Sequence, residues 1–368
     1  MQAFAREIDA KAPGTTFKEV SGKIVAGVPF PLPPLAEQRR IVEKVDELMA
    51  LCDRLEAART VREQTRGCLT KASYAGLNAP DTDDAAFRVH TGFAVDAFHA
   101  LTAHAVQIES LRQTILNLAV RGKLVRRKEA EGDASSLVKS IQSDSMQAKR
   151  SPIEPGTVLV NFSIPSHWTW QSLDQVITYG PQNGLSPKRT NRADAPKSIT
   201  LTATTSGTFD GRQFKRVDVE SASVAGYWLE PGDLLFQRGN TRDYVGMAAI
   251  YDGSANEFLF PDLIIRVKAS PRVYTHYIHL WCIAPFARNY FSSNAIGAQK
   301  TMPKINHRIL RAIPIALPPL AEQYRIVAKV DELIALCDRL KVSLDAFDER
   351  RNYLLASLLQ KAMEASEA

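Results

Sequence analysis

The feature that most constrains this chain is a repeat. Residues Leu32 to Leu55 read LPPLAEQRRIVEKVDELMALCDRL, and Leu317 to Leu340 read LPPLAEQYRIVAKVDELIALCDRL. The copies lie 285 positions apart and agree at 21 of 24. Self-similarity of this kind decides architecture before any local reading, because each copy builds the same unit. The register holds beyond the motif: Thr16 falls on Thr301, Pro29 on Pro314, Arg66 on Arg351 and Leu69 on Leu354. The repeat therefore includes the tail of whatever precedes the motif. Residues 1–31 read as the stub of a domain whose full copy ends near Ala316.

Each copy reads as a long helix. Pro33, Pro34 and Glu37 suit a helix start, where proline gives up no hydrogen bond and a carboxylate meets the positive end of the dipole. Apolar residues then fall at 41, 45, 48, 52 and 55, and at 326, 330, 333, 337, 340, 344 and 347, resuming at 354 and 358. Alternating steps of four and three make a heptad seam. Helices from Leu35 to about Ser73 and from Leu320 to about Met363 would each be roughly 60 Å long. Two such seams joined by a globular domain are expected to pack as an antiparallel coiled coil. Cys52 and Cys337 occupy equivalent seam positions and read as packed core.

Between the copies, 79–161 reads as a linker and helical connector: a polar, acidic stretch over 78–91, a helix over 93–125 closing in RGKLV, and a charged, Ser-rich connection. From Phe162 to Ala316 the pattern changes to short β-branched and aromatic runs such as SITLTA, DLLFQR and FLFPDLIIRVKA, punctuated by Gly, Pro, Asn and Asp. Tyr274 to Phe291 reads as helical. The expected fold class is α+β, with one α/β domain plus the long helices of 32–78 and 317–368.

No stretch approaches the roughly 18–20 apolar residues that span a bilayer. The N-terminus lacks the apolar core of a secretory signal. Four cysteines without a CxxC pair indicate neither a disulfide framework nor a zinc site, so a reduced, cytoplasmic protein is expected. The net charge of +6 is localised: Asn161 to Ile315 hold 17 Lys and Arg against 11 Asp and Glu, and the remainder balances. A basic domain between neutral flanks suits a polyanion.

Catalytic signatures do not fit. Gly22-Lys23 and Gly122-Lys123 are followed by Ile24 and Leu124, not the Ser or Thr of a phosphate-binding loop. The Pro-Pro pairs sit in LPPL, not in the Asn/Asp-Pro-Pro-aromatic turn of an amino-methyltransferase. There is no GxSxG elbow. His276 and His279 lack a clear third metal ligand. Pro261-Asp262 and Val267-Lys268 partly match a metal-dependent nuclease, but Arg266 stands where its second acid belongs. Three polar loops carry the positive case. They hold Gln182, Asn183, Ser186, Lys188, Arg189 and Arg192; Gln237, Arg238, Asn240 and Arg242; and Gln299, Lys300 and Lys304. Gln and Asn pair with adenine edges and Arg with guanine, while Lys and Ser hold phosphates.

The repeated LPPLAEQRRIVEKVDELMALCD, the LRQTILNLAVRGKLV of the connector, and IPSHWTW, DLLFQRGNTRDYVG and the QKT of GAQKTMPKIN together resemble the specificity subunits of type I restriction-modification systems. The resemblance covers nearly the whole chain. It implies a non-catalytic subunit whose target-recognition domain, 162–316, reads half of a bipartite double-stranded DNA site. It also implies long helices that space two such domains and dock the modification (methyltransferase) subunits. S-adenosylmethionine, ATP and Mg²⁺ would then belong to partners, which include a restriction/translocase subunit; none is expected on this chain. Arg40, Asp46, Glu47 and Asp53 recur as Arg325, Asp331, Glu332 and Asp338 and are candidate docking positions. The departure from the family is at the front, where only residues 1–31 stand in place of a first recognition domain. Either the chain is a truncated fragment without activity of its own, or it is a partial subunit and a second copy or another partial subunit supplies the other half-site. Two other readings are a nuclease acting alone, with Mg²⁺ at Asp262, and a coiled-coil scaffold without DNA binding.

Overall fold

The computed structural model describes residues 20–29, 32–79, 84–144, 162–297 and 302–367. The chain falls into two compact units, Met1–Gly67 and Cys68–Ala368.

The first unit opens with a short helix, α1 (Gly22–Ala26), capped by Ser21, whose hydroxyl accepts from the Ile24 amide at 3.4 Å. At the position 285 residues later Asn306 does the same for His307–Arg311, accepting from the Ile309 amide at 2.9 Å. A side-chain oxygen at the N-cap satisfies an orphan amide of the first turn, and both copies use it. Residues 21–26 therefore fold locally like 306–311. Next comes α2 (Leu35–Asn78), 44 residues long, with Glu37 in its first turn. Within the first unit its seam residues Ile41, Val45, Leu48 and Leu55 are exposed, as is Cys52. Its buried residues, Thr70, Ser73, Tyr74 and Leu77, all lie past Gly67.

In the second unit, α3 (Asp84–Asp96), α4 (Phe98–Leu101) and α5 (Ala105–Val120) gather on the end of α2. Tyr74, Leu77 and Leu101 form a small core with Leu69, Phe87 and Leu111. Gln107 donates to the Thr70 hydroxyl at 2.8 Å, and Arg121 donates to the Asn78 carbonyl at 2.7 Å. The stretch read as a polar linker is thus helical from Asp84. Phe87 supplies the apolar anchor, and the alanines beside it favour helix. After α6 (Ala134–Asp144) the chain enters the α/β domain.

That domain begins with β1 (Thr169–Ser172), α7 (Leu173–Val176) and β2 (Ile177–Asn183). It continues through β3 (Lys197–Ile199), β4 (Phe214–Arg216), β5 (Leu234–Gln237), β6 (Ala248–Ile250), β7 (Phe258–Leu259) and β8 (Ile264–Ala269). Then follow α8 (Thr275–Ile283), α9 (Pro285–Asn294), α10 (His307–Arg311), β9 (Pro314–Leu317) and α11 (Leu320–Glu367). The strands form a four-stranded sheet, β2-β8-β5-β6, a three-stranded sheet, β4-β3-β7, and the pair β1-β9. In β5, every residue from Leu234 to Gln237 is buried, as expected of a central strand with both faces covered. α8 and α9 pack on the four-stranded sheet through Tyr277, Trp281 and Phe291, all fully buried.

The same core continues into the second long helix. Ile326, Val327, Val330 and Cys337 of α11 are buried together with Ile108, Ile115 and Ala119 of α5 and with the domain's own Leu173, Val267 and Trp281. Leu333, Leu340 and Leu344 pack against that core from its edge. Polar contacts tie α11 down at its first turns. His167 and Glu322, both buried, meet at 2.8 Å, Gln323 accepts from the Tyr274 amide at 2.9 Å, and the Tyr277 hydroxyl donates to the Ala316 carbonyl at 2.6 Å. The fold is the α+β one expected, an α/β domain plus two long helices. No helix among the described residues is long and apolar enough to cross a membrane.

Candidate nucleic-acid interface

Three loops of the α/β domain meet at the ends of β2, β5 and α10. The first leaves β2 at Asn183. Gly184 follows, its backbone so close to the turn before β8 that an added Cβ would lie 2.0 Å from the Phe260 carbonyl oxygen; only glycine fits there. Backbone bonds from Leu185 to Phe260 and from Asp262 to Leu185 then pin the loop to that turn. The second loop leaves β5. Its Arg238 amide donates to the Leu263 carbonyl at 2.7 Å and its carbonyl accepts from Ile305 at 2.8 Å. The third, 302–306, is joined to the second by the Gly239–Lys304 bridge and to the first through His307, whose Nε2 lies 2.9 Å from Asn183 Oδ1. The loops are therefore held by one another as well as by the sheet.

The expected site residues divide sharply within this frame. Ser186, Lys188, Arg189, Arg192, Arg242 and Lys304 are exposed, and Asn183 and Arg238 are half-buried. Arg192 lies 3.6 Å from Asp218, and Arg242 donates to the Ser292 carbonyl. Gln237 is a correction. It is fully buried and its amide is used internally, donating to the Leu201 carbonyl at 2.9 Å and accepting from Asn240 at 2.6 Å. As the last residue of a fully buried strand it braces the second loop and has no free face for a base. Asn240 is spent likewise, accepting from the Thr241 amide at 2.7 Å. The Gln182 amide oxygen accepts from Arg266 and from the Tyr179 hydroxyl, and its nitrogen donates to the Gly226 carbonyl. Gln299 and Lys300 lie outside the described residues.

His307 and Arg308 were not singled out in the sequence. Burial, with Arg238 and Arg311 adding repulsion, lowers the His307 pKa, so its imidazole is neutral at pH 7. A neutral ring beside Asn183 fixes one side of that amide and leaves the other side available. A lone histidine in the run IleAsnHisArg carries no sequence signal that would mark it out.

Two residues of the nuclease reading, Arg266 and Lys268, have structural partners, as do the two histidines weighed as metal ligands. Arg266 is buried, donating to the Trp228 carbonyl at 2.6 Å and the Gly226 carbonyl at 2.8 Å, with Asp233 3.5 Å away. Burial raises the Asp233 pKa, opposed by the Glu230 amide and Arg266. Lys268 pairs with Glu230. His279 is bound to the carbonyls of Gly207 and Ala248, and His276 stacks on Tyr274. Among the described residues no group of three or more His, Cys, Asp or Glu is arranged to hold a metal.

Residues 165–345 match the model of the type I restriction modification DNA specificity domain. The α/β domain, with the start of α11, is thus similar to the DNA specificity domain of type I restriction-modification systems. Over 359 residues the chain is 26% identical to the type I restriction enzyme EcoEI specificity subunit of Escherichia coli, covering 94% of this chain and 60% of that protein. It is 23% identical to the EcoKI specificity subunit of Escherichia coli strain K12, covering 98% of this chain and 62% of the relative. The chain thus spans about three-fifths of the length of these specificity subunits. A chain from a solved structure of a type I R-M system shares the fold at a TM-score of 0.52 and 19% identity, over 98% of this chain and 67% of that one. The match begins within IPSHWTW and runs through the first half of α11.

Proposed function

We propose that this chain is a non-catalytic DNA-reading subunit that recognises one half-site through its single described α/β domain. The observation that carries this reading is the meeting of three loops at one edge of the domain, where Asn183, Arg238 and His307 come together, with Lys188 and Arg189 exposed on the first loop and Lys304 and Arg308 exposed on and beside the third. Exposed lysines and arginines attach to phosphates, and the braced amide and guanidinium between them read base edges. Half-buried side chains held by neighbours lose little freedom on binding, which favours selectivity.

The long helices dock methyltransferase subunits, with Asp46, Glu47, Asp53, Asp331, Glu332 and Asp338 among the exposed charges shared by both copies. S-adenosylmethionine, ATP and Mg²⁺ act on those partners and on a restriction/translocase subunit. Antiparallel pairing of the two long helices would bury the apolar residues left exposed towards the end of α11, among them Phe347, Leu354 and Leu358.

The test is to co-purify the chain with its modification subunit and select bound duplexes from random DNA. Enrichment of one short motif supports a half-site reader. Enrichment of a spaced palindrome indicates two copies of the chain. A complex that forms yet enriches no sequence overturns the proposal. In the selecting complex, Lys188→Ala and Arg189→Ala should each reduce the steepness of salt dependence by about one counterion while leaving the motif unchanged.

A further inference from the structure

Residues 302–306 run between two neighbours like the middle strand of a small sheet. On one side Ile296 and Lys304 exchange both backbone hydrogen bonds, each 2.9 Å long. On the other, the Ile305 amide donates to the Arg238 carbonyl at 2.8 Å and the Asn240 amide to the Pro303 carbonyl at 3.3 Å, which sets Gly239 opposite Lys304. Side chains along an extended run alternate between its faces, and burial follows that rule here. Met302, Lys304 and Asn306 are exposed, whereas Pro303 and Ile305 are buried.

Directly opposed residues of an antiparallel pair project to the same face. Ile296 therefore stands beside Lys304, on the face that also carries Met302. Gly239 brings no side chain to that face. A Cβ there would lie 3.1 Å from Lys304 Cγ, 3.2 Å from Met302 Sδ and 3.3 Å from Leu263 Cδ2, so these three side chains converge over the glycine backbone. Ile296 is 64% exposed and Met302 46%. Two large apolar side chains are thus held in water beside a lysine, on backbone that is bonded from both sides. Single apolar residues are ordinary on a surface; a pair gathered on a braced edge, among loops that are otherwise polar, is a contact surface.

What meets this face must offer negative charge to Lys304 and apolar atoms to Ile296 and Met302. A DNA duplex supplies the charge as phosphate, and the apolar group it presents at the base edges of the major groove is the C5-methyl of thymine. We infer that Ile296 and Met302 read that methyl group, so that the half-site contains a thymine which packs on them. This rests on the DNA-reading function proposed above. It adds a base that the polar side chains of the three loops do not select, because a methyl group neither donates nor accepts a hydrogen bond.

The test uses the full chain in complex with its modification subunit, and duplexes carrying the selected motif in which each thymine of either strand is replaced in turn by deoxyuridine, which lacks only the methyl. The expected result is one position at which the replacement weakens binding about fourfold, the worth of one buried methyl group. Met302→Ser and Ile296→Ser should bring the thymine-to-uracil ratio at that position close to one, and Met302→Leu should retain it. Both residues are exposed, so the melting temperature of each variant should match that of the wild type. Lys304→Ala should lower the salt dependence by about one counterion and leave the thymine-to-uracil ratio as it was. A selected motif without thymine, uracil tolerated at every position, or serine variants weakened equally on thymine and uracil duplexes would overturn the inference and leave the half-site reading standing. Loss of the modification subunit from the serine variants would assign the face to that protein and overturn it as well. Enrichment of no motif at all would remove both readings together.

Discussion

Val45 and Val330 stand at one position of two nearly identical helices, yet Val45 is 45% exposed and Val330 is 4% exposed. The same holds for Ile41 against Ile326 and Cys52 against Cys337. Since the residues are the same, the difference comes wholly from what lies opposite. On α11 that is α5 and the recognition domain; on the first unit's part of α2 no described residue of that unit covers the seam. The comparison separates two quantities that a periodic pattern merges: the ability of a helix to be buried, which is written in its own sequence, and its burial, which is written in its neighbours. It also gives the protein an internal control, because each substitution in α11 has a counterpart in α2.

The largest effect should come from paired truncations. Ile326→Ala removes a fully buried side chain and should cost about 2–5 kcal/mol, whereas Ile41→Ala should stay within about 0.5 kcal/mol; denaturant unfolding of both variants measures the gap. Equal costs would mean that the α2 seam is buried in solution. A smaller contrast is expected at the ion pair of Arg325 with Glu131. Arg325→Ala loses a two-pronged contact with Glu131 and should cost roughly 1 kcal/mol, while Arg40→Ala should leave the melting curve where it is.

That ion pair also predicts a pH response. Arg325 holds the Glu131 carboxyl below its ordinary pKa of 4.5 through a direct hydrogen bond. A lowered acid stabilises the fold above its unfolded pKa, and that contribution disappears as pH falls through the folded value. The melting temperatures of wild type and Arg325→Ala should therefore differ at pH 6 and converge as acid is added. The smallest effect belongs to His307. His307→Gln should leave overall affinity within about threefold but relax the base preferred at one position of the selected motif, since it loosens Asn183 without removing a phosphate contact. An unaltered motif would exclude a positioning role.

Much of this architecture was legible in the residues. The repeat gave both long helices, and the shift to β-branched runs marked the α/β domain, because period and punctuation are local properties. The shared cap of α1 and α10 was carried by the 285-residue offset. What could not be read was partnership. Nothing local separates Gln237, sealed in β5, from Ser186 on the surface, since both are polar residues two positions from a glycine in loop-like runs. Nor does a heptad seam say whether its cover is the other long helix or α5, because both present the same apolar face. His307 became visible only when folding brought it to Asn183 across 124 positions.

The contact of His167 with Glu322 bears on how such a chain can be rebuilt. A natural place to exchange one α/β domain for another is the Pro318-Pro319 pair, where strand gives way to helix. A cut there would separate two partners that are 6% and 1% exposed, and leaving either one alone inside costs roughly 3–5 kcal/mol. The transferable cassette is therefore longer than the α/β domain: it carries α5, whose Ile108 and Ile115 share a core with α11, and Glu131 at one end, and the first turns of α11 through Cys337 at the other. Past that cysteine both copies read AspArgLeu, so a splice made there joins identical sequence to identical sequence.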